Sequence, residues 1–429
     1  MKYKAVRGME DILPGDMGIW QYLERVARKD LESWGYDEIR TPILEDTSIF
    51  VRSIGENTDI VKKEMYTFKD RKDRSLTLRP EGTAPIARAY IEHSLDKTSP
   101  KVKRLYYIEP MFRSERPQKG RSRQFHQIGV EVIGSGSPFA DVEVIRQLNG
   151  MLKLFRLEGA TIKLNSLGCA SDKENFAVTL KKYLEERKSQ LCGDCKERTK
   201  KNVLRALDCK SETCIQVVRQ APSILESLCI PCKAHFEKVK ERLAKEGIEF
   251  KETKNLVRGL DYYTGIVFEI THPALGSQDA IGAGGRYDNL IKDLGGPDTK
   301  AVGYALGVER IIIALKETEA LPEPTRIYIA TLGEKALLEG AALATHLRTW
   351  LKRDKNHMIV KFIEDIDGGL LKAQMKRADK GKAAFTLILG EDEIKNNEVT
   401  IKDMETGEQT AVDRSSVVAE LKKRLGKPC

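Results

Sequence analysis

The sequence predicts a protein of the α+β class: an antiparallel sheet flanked by helices, with a helical insertion and a separate C-terminal α/β domain. Strand-like runs dominate the chain up to about residue 320, and glycine, proline and polar turns join them in place of regular crossover helices. From residue 171 to residue 246 the chain is instead helical, charged and rich in cysteine. After residue 324, strands and helices alternate, which is typical of an α/β domain.

The first domain begins with an amphipathic helix and continues with strands. Asp16 is suited to cap a helix that ends before Gly35, and the apolar residues of this helix recur at helical spacing at Ile19, Leu23, Val26, Ala27 and Leu31. Runs rich in β-branched and aromatic residues predict strands at residues 103–108, 125–133, 161–164 and 266–270. We therefore expect a first domain over residues 1–321, interrupted by an insertion over residues 171–246.

Two prolines, Pro322 and Pro324, mark the clearest boundary in the chain, because proline interrupts both helices and central strands. They predict a linker at residues 322–325 and a second domain over residues 326–429. Its elements are predicted in the order strand 327–330, helix 334–352, strand 358–363, helix 369–379 and strand 384–389.

Composition limits the class of protein. The chain has 429 residues, of which 41% are hydrophobic, enough for two or three domains with cores of their own. The net charge of +9 permits a polyanionic partner without requiring one. The mean hydropathy is −0.41, and no apolar run approaches the ~20 residues that span a bilayer. We expect a soluble cytoplasmic protein with no membrane partner, since the first residues lack an apolar signal core.

Six of the eight cysteines fall between residues 192 and 232, in the spacings C-x-x-C, C-x4-C and C-x-x-C. In a chain without an export signal, such pairs favour metal binding or redox chemistry over structural disulfides. A structural Zn²⁺ on Cys192, Cys195, Cys229 and Cys232 is chemically reasonable, with Cys209, Cys214 or His235 as alternative ligands. The spacing leaves open whether the cluster binds metal at all.

A nucleotide site without a phosphate-binding glycine loop is the next expectation. The chain contains neither G-x-x-x-x-G-K-[ST] nor a G-x-G-x-x-G that opens a helix, so arginines and a divalent ion would have to hold any phosphates. Residues 101–133 supply such arginines, in two strand-like halves that flank a polar loop. Because side chains alternate along a strand, one face of the second half carries Arg123, Phe125, Gln127, Gly129 and Glu131. A solvated basic hairpin would show the same pattern.

Four further blocks combine polar groups with tight turns. Residues 78–85 place a carboxylate and a hydroxyl in the turn Glu81-Gly82-Thr83, which could bind an ammonium group or only cap a helix. Residues 256–263 combine an arginine with two tyrosines, which fits a pocket wall or an aromatic packing corner. Glycines at 282–288 and 301–310 allow close backbone approach, to a ligand or within the sheet.

In order and spacing, these blocks resemble the class II aminoacyl-tRNA synthetases, and most closely the histidyl-tRNA synthetase family. Residues 7–14 resemble the opening of that family, and residues 256–263, here called the signature loop, resemble its histidine-specific sequence, with 283–287 as the companion block. The three class motifs are matched, in order, by residues 35–42, by residues 112–115 with 121–131, and by residues 303–310. The resemblance covers essentially the whole chain, including a C-terminal domain that resembles the class II anticodon-binding module.

The resemblance implies a role for each matching residue. ATP would be bound by Arg113, Glu115, Arg121, Arg123, Phe125 and Arg310. Histidine would be bound by Glu81, Gly82, Thr83, Gln127, Glu131, Tyr262 and Tyr263. Arg113 and Arg258 would be catalytic at the α-phosphate. The implied activity is ATP-dependent ligation of L-histidine to tRNA(His) through histidyl-adenylate, with Mg²⁺ as cofactor and a homodimer formed through the first motif.

Two other interpretations start from the same residues. A regulatory paralogue of this family would keep the synthetase-like domain and usually lacks the anticodon module and some catalytic residues. A general RNA-binding protein could retain a relict ATP site. Arg113, Arg258 and Arg310 are all present and the C-terminal domain is full length, which favours the enzyme. Histidine-dependent exchange between ATP and pyrophosphate would separate the three.

Overall fold

A computed structural model describes residues 3–317, 325–353 and 360–425. The chain forms two compact units, Met1–Leu321 and Pro322–Cys429. Residues 322–324 of the expected linker, Met358 at the start of a predicted strand, and Cys429 lie outside the described residues. None of the described helices has the length and apolarity that a membrane span requires.

Eleven strands and ten α-helices make up the described part of the first unit. The strands are β1 (Asp37–Glu38), β2 (Leu44–Asp46), β3 (Tyr66–Lys69), β4 (Ser75–Leu78), β5 (Lys103–Phe112), β6 (Gln124–Ile133), β7 (Thr161–Ser166), β8 (Lys251–Glu252), β9 (Thr264–Thr271), β10 (Ala280–Arg286) and β11 (Ala301–Gly307). The helices are α1 (Met17–Ser33), α2 (Thr47–Ile54), α3 (Thr83–Glu92), α4 (Pro138–Leu154), α5 (Ala170–Glu186), α6 (Gly193–Lys201), α7 (Glu212–Arg219), α8 (Ile230–Lys245), α9 (Leu290–Asp293) and α10 (Val308–Glu317).

An eight-stranded sheet forms the centre of this unit, with the order β1-β5-β6-β11-β10-β9-β7-β8. Its six long strands pair antiparallel, and only the two-residue edge strands β1 and β8 pair in parallel. The α+β prediction with an antiparallel sheet is therefore confirmed. Strands β2, β4 and β3 form a second, three-stranded sheet that the sequence pattern does not predict.

The central strand β6 has the alternation that the sequence predicts. Ile128, Val130 and Val132 lie in the main hydrophobic core, where they pack with Leu23 and with helix α4. The residues between them therefore lie on the opposite face of the sheet. Strand β5 is four residues longer than predicted, since its pairing with β6 continues through Pro110 to Phe112.

Helix α1 buries the predicted apolar stripe, with Leu23, Ala27 and Leu31 fully buried. Its predicted cap is wrong, because the Asp16 side chain makes no capping hydrogen bond. The Asp16 carboxylate instead accepts a hydrogen bond of 3.1 Å from Lys316 Nζ on α10.

The cysteine-bearing segment is helical, as predicted, and comprises α5, α6, α7 and α8 joined by short 3₁₀ turns. The first of these helices begins at Ala170 and the last ends at Lys245, close to the predicted bounds of 171 and 246. The buried apolar residues of α5, α6 and α7 share one hydrophobic core with the two tyrosines of the signature loop, whereas Phe236, Val239 and Leu243 of α8 belong to the main core. The segment is thus packed against the part of the sheet that carries the functional residues.

The second unit is a five-stranded sheet with helices. Its strands are β12 (Thr325–Thr331), β13 (Val360–Glu364), β14 (Phe385–Leu389), β15 (Glu398–Asp403) and β16 (Gln409–Asp413), and its helices are α11 (Glu334–Arg353), α12 (Leu371–Lys380), α13 (Glu391–Asn396) and α14 (Val417–Leu425). Strand β12 pairs in parallel with β13 and β14, and β15 and β16 extend the sheet antiparallel. The helix predicted from residue 369 begins two residues later, because Gly368 and Gly369 have φ of 61° and 92°.

Candidate active site

A cavity of about 260 Å³ opens at the large sheet and is lined by four of the arginines that the sequence singled out: Arg113, Arg121, Arg258 and Arg310. Arg113 follows β5, Arg258 belongs to the signature loop, and Arg310 lies in the first turn of α10. All three line this one cavity although they come from distant parts of the chain. The fold therefore gathers three guanidinium groups at one place, next to buried carboxylates and hydroxyls.

At one end of the cavity, two arginines flank an aromatic ring and the polar loop. The guanidinium carbon of Arg113 lies 5.1 Å from the centre of the Phe125 ring, and its Nε donates to Pro80 O at 2.9 Å. Arg310 Nε donates to Gly120 O at 3.0 Å, and its Nη1 donates to Ala280 O. Backbone carbonyls thus orient both cations from behind while leaving them on the cavity wall.

Burial and neighbouring cations both act on Arg310. Its pKa is lowered, first by desolvation and then by the positive charges of Arg121 and Arg113. Arginine retains its charge at neutral pH even so. An electrostatic strain of this kind is relieved when an anion binds between the guanidinium groups.

The remaining polar residues of this end divide into two groups. Arg121 lines the cavity and donates to Glu115, with 3.1 Å between Nη1 and Oε2. Arg123, which the sequence also places among the ATP contacts, is not among the residues that line the cavity. Its guanidinium donates instead to the main-chain oxygens of Glu115 and Arg7, each at 3.3 Å, because the residue lies just before β6, where the loop returns over the N-terminal segment.

Glu81 lies two residues before α3 and follows Pro80, whose carbonyl oxygen accepts from Arg113. Its two carboxylate oxygens accept hydrogen bonds of 2.8 Å from the backbone amides of Thr83 and Ala84, so it caps this helix. Desolvation raises its pKa, and these amide bonds act in the opposite direction. The side chain is 4% exposed and still lines the cavity, so one carboxylate serves both the helix and the site.

Three buried polar atoms of cavity-lining residues have no hydrogen-bond partner among the described residues. They are the Gln127 Oε1, the Tyr107 hydroxyl and the Arg258 Nε. A Cβ atom at either Gly82 or Gly129 would overlap the Tyr107 ring, so only glycine leaves room for it there. Because an unpaired buried polar group is costly, these atoms indicate a polar ligand between them.

Glu131 lies one layer behind the cavity wall. Thr83 Oγ1 donates to one of its carboxylate oxygens at 2.7 Å, and the Tyr287 hydroxyl donates to the other. Burial raises the pKa of Glu131 to about 8, against the effect of these two bonds. Gly303 of the paired strand must lack a side chain, because a Cβ there would overlap the same carboxylate.

The signature loop contributes an arginine and two tyrosines whose rings are in tilted contact. Arg258 Nη1 donates to Glu269 Oε2 at 2.6 Å, and the rings of Tyr262 and Tyr263 lie 4.7 Å apart. The Tyr262 hydroxyl donates to Glu81 at 3.3 Å. Desolvation raises the pKa of Tyr263 to about 12, so its hydroxyl remains a hydrogen-bond donor at neutral pH.

Three residues of the site were not singled out by their sequence context. Tyr107 is one of two adjacent tyrosines in an apolar strand, Tyr287 lies in the glycine block directly after β10, and Glu269 is a single acid in a buried strand. Strand register places two of them, bringing Tyr107 opposite Gly129 and Glu269 opposite Ala283, and Tyr287 is held by a bond from its amide to Ala301 O. A charge inside an apolar run was the available indication for Glu269.

Arg286, in the glycine block, has a structural role. Its Nε lies 2.8 Å from Asp141 Oδ1, both side chains are almost fully buried, and its Nη1 also donates to Asp288 at 3.0 Å. The same Asp141 carboxylate lies 2.8 Å from His235 Nε2. His235 is therefore engaged with Asp141, and it does not join either group of candidate metal ligands among the described residues.

The predicted set of four zinc ligands is wrong. Cys192 and Cys195 lie with Cys209 and Cys214, and we call this group the four-cysteine cluster. Cys229 and Cys232 lie instead with Cys169 and Asp172, and we call this group the root cluster. The two C-x-x-C pairs separate because one opens α6 and the other opens α8, and each of these helices begins beside a different part of the insertion.

Comparisons with known proteins agree with this geometry. Residues 8–311 match the family model described as histidyl-tRNA synthetase, and residues 326–424 match an anticodon binding domain. Histidine–tRNA ligase of Thermosipho melanesiensis is 48% identical, with 97% of each chain covered, and that of Thermotoga petrophila is 46% identical with both chains fully covered. The crystal structure of apo histidyl-tRNA synthetase from S. aureus superimposes with a TM-score of 0.76 at 35% identity, covering 98% of this chain and all of that one.

An antiparallel sheet that gathers arginines of the second and third motifs around one cavity defines a class II aminoacyl-tRNA synthetase. Within that class, the match extends over the signature loop and the C-terminal unit as well. The chain belongs to the histidyl-tRNA synthetase family.

Proposed function

We propose that this chain attaches L-histidine to tRNA(His) in two steps, with ATP as the energy source and histidyl-adenylate as the intermediate. The observation that carries the proposal is the shared cavity of Arg113, Arg258 and Arg310, next to Glu81, Gln127 and buried tyrosines. Cations suit a triphosphate, and the carboxylate, amide and hydroxyl groups suit a small zwitterion with an imidazole.

ATP occupies the end with two arginines and an aromatic ring. Arg113 contacts the α-phosphate, Phe125 and Arg310 stack on the two faces of adenine, and Glu115 accepts from the adenine amino group. Arg121, which lines the same wall, contacts the outer phosphates. In this proposal Arg123 is not an ATP ligand; its bond to Glu115 O supports placing it behind the loop as a positioning residue.

Histidine occupies the opposite end. Its α-ammonium group donates to Glu81, Thr83 and Gln127, whose unpaired Oε1 is suited to accept such a bond. Gly82 contributes by leaving room for the Tyr107 ring. The imidazole is bound by the hydroxyl groups of Tyr263 and Tyr287 and by the Glu131 carboxylate, which is hydrogen-bonded to Tyr287. The Tyr262 ring packs against both of these tyrosines. A site that pairs both imidazole nitrogens leaves its own polar groups unpaired with another amino acid, which gives discrimination of ~10⁴-fold.

The first step joins the two ends of the cavity. A carboxylate oxygen of histidine attacks the α-phosphorus of ATP, the bond to the β-phosphate oxygen breaks, and pyrophosphate leaves with that electron pair. Arg258 and Arg113 neutralise the negative charge that develops at the α-phosphate. This chemistry requires positioning and charge stabilisation, and it needs no nucleophilic side chain.

The second step transfers the histidyl group. A terminal ribose hydroxyl of tRNA attacks the acyl carbon of histidyl-adenylate, the mixed anhydride bond breaks, and AMP leaves. The hydroxyl proton is released to solvent, so the products are the histidyl ester, AMP and one proton. No side chain of the site is required as a covalent intermediate.

Divalent metal fits the same wall. The Glu64 carboxylate lines the cavity, and Mg²⁺ prefers carboxylate and phosphate oxygens. Glu64 would hold the ion together with the outer phosphates, whose charge the ion would neutralise. Burial raises the pKa of Glu64, an effect that a bound cation would reverse.

The C-terminal unit is assigned to recognition of the tRNA anticodon stem. Its clearest cationic stretch, residues 372–382, includes most of α12 and is suited to phosphate contacts.

We also propose a homodimer formed through residues 35–42 and the neighbouring three-stranded sheet, where Ile43, Leu44 and Phe68 are between 40% and 46% exposed. The same proposal places the protein in the cytoplasm, where tRNA is charged.

A structural Zn²⁺ on the four-cysteine cluster completes the proposal. The sulfurs of Cys192 and Cys209 lie 3.8 Å apart, and two Zn–S bonds of about 2.3 Å at the tetrahedral angle give about the same separation. The backbone amide of Cys192 donates to Cys214 Sγ at 3.2 Å, a bond that stabilises a thiolate. The metal would be closed off by four ligands and would take no part in catalysis.

Transfer of labelled histidine to tRNA tests the proposal. We expect the purified protein to form acid-precipitable histidyl-tRNA with ATP and Mg²⁺, and to charge none of the other tRNAs in an unfractionated pool. Charging that does not depend on ATP, or equal charging with another amino acid, would contradict it.

A further inference from the structure

The root cluster lies where the insertion leaves and rejoins the sheet. Cys169 precedes α5 and Asp172 lies in its first turn, while Cys229 precedes α8 and Cys232 lies in its first turn. One ligand atom from each of these four residues lies within 4.8 Å of the other three. Their cysteines are free thiols that are partly buried.

The donor set and its support suit a tetrahedral soft cation. Three sulfurs and one carboxylate oxygen are ligands that Zn²⁺ accepts. The Asp172 carboxylate is already held in place, since Oδ1 accepts from the Cys229 amide at 2.9 Å and Oδ2 from the Cys169 amide at 3.2 Å. The cluster also sits at the amino ends of two long helices, where the aligned peptide dipoles favour thiolates.

We propose that the root cluster binds a second structural Zn²⁺, distinct from the ion assigned to the four-cysteine cluster, and that this ion fastens the two ends of the insertion together. The segment between the two ligand pairs runs from residue 173 to residue 228. Closing a segment of this length removes chain entropy from the unfolded state, so metal binding there stabilises the folded insertion. A cavity of about 390 Å³ borders Cys169 and Cys232 and gives solvent and chelators access to the site.

The root cluster is connected to the signature loop by one residue. Lys173 follows Asp172 on α5, and its Nζ donates to the main-chain oxygens of Asp261 and Tyr263, at 3.2 and 2.9 Å. The start of α5 therefore holds the loop that carries Arg258 and Tyr263. Metal at the root would fix this start, so its loss should raise the KM for histidine several-fold more than the KM for ATP.

Counting zinc in the full-length protein tests this inference independently of the synthetase activity. We expect about two zinc ions per untagged chain, about one in the C229S/C232S variant, and about one in the matched C192S/C195S variant. One ion in the wild-type protein that C229S/C232S retains would overturn the proposal. Iron–sulfur absorbance, or a disulfide between root-cluster cysteines in freshly isolated protein, would also overturn it.

Thiol protection in the wild-type chain keeps the test valid if a variant fails to fold. We expect Cys169, Cys229 and Cys232 to resist alkylation together and to become reactive together when a zinc chelator is added. Alkylation of these three thiols at the same rate with and without the chelator would contradict a bound metal. Asp172→Asn should weaken zinc binding at the root by roughly 10- to 100-fold while leaving the four-cysteine cluster loaded.

Discussion

At the scale of single residues, the site depends on which side chains are absent as much as on those present. Glycine at positions 82 and 129 leaves space for the Tyr107 ring, and glycine at 303 leaves space for the Glu131 carboxylate. Each of these contacts brings a polar group into a buried position, where its hydrogen bonds are stronger than they would be in water. The polar wall of the cavity is therefore built from strand register as well as from residue type.

Arg258 tests the chemical step. Arg258→Ala should lower kcat for histidine-dependent pyrophosphate exchange by about 10²- to 10³-fold, because it removes charge stabilisation at the α-phosphate, while the Kd for histidine changes only a few-fold. Glu269→Gln, which releases Arg258 without removing it, is the matched control and should cost less. Equal losses in kcat and histidine affinity would reduce Arg258 to a binding residue.

Because Glu131 is buried, we predict that the free energy of unfolding depends on pH. Burial raises its pKa from 4.5 to about 8 in the folded protein, so between these values the folded chain holds a proton that the unfolded chain has released. The free energy of unfolding should then fall as pH rises from 5 to 8, by up to about 1.4 kcal/mol per pH unit.

The Glu131→Gln variant isolates this contribution, because an amide does not titrate. We expect its thermal midpoint to fall less than that of the wild-type protein between pH 5 and pH 8, measured in the same buffers without ligand. Parallel midpoint curves for the two proteins would mean that Glu131 is ionised throughout this range.

At the scale of elements, the insertion acts as a support for the signature loop. Arg205, in the 3₁₀ turn after α6, donates to Gly259 O at 2.6 Å and pairs with Asp59 at 2.9 Å. Asn202 donates to Asp261 at 3.0 Å from the same segment. Together with Lys173, these bonds hold the loop from the side opposite the cavity.

Arg205→Ala should therefore raise the KM for histidine about 10-fold while changing the KM for ATP much less, since a small displacement of a binding loop costs about this much. The measurement is steady-state pyrophosphate exchange with each substrate varied in turn. Arg219→Ala, at an exposed position on α7 of the same insertion, is the control and should behave as wild type. If both variants are indistinguishable from wild type, the insertion does not support the loop.

Sequence pattern and structure agree best where the burial of a residue depends only on its own strand or helix. The alternation of β6 correctly separates Ile128, Val130 and Val132 from the functional face, because period-two burial is local. The ligand sets of the cysteines could not be obtained in this way. Spacing pairs Cys192 with Cys195 and Cys229 with Cys232, but which pair meets Cys169 or Cys209 depends on how α5 and α8 pack.

At the scale of the whole molecule, the site is a product of long-range pairing. Arg113, Arg258 and Arg310 belong to separate blocks of the sequence, and order and spacing identified them only through a family resemblance. The sheet order then explains their meeting, because the strands next to them are neighbours in the order β5-β6-β11-β10-β9. Arg123 does not line the cavity, and its guanidinium bonds to main-chain oxygens of Glu115 and Arg7, so its predicted contact with ATP stays a prediction.

Exchange of labelled pyrophosphate into ATP tests the central claim most directly, since it requires the three arginines and the amino-acid pocket to work as one site. We predict exchange with histidine and background levels with each of the other amino acids, in the absence of tRNA. Exchange that is absent with histidine, or that proceeds equally without it, would contradict the account and would favour a regulatory or RNA-binding role for the same fold.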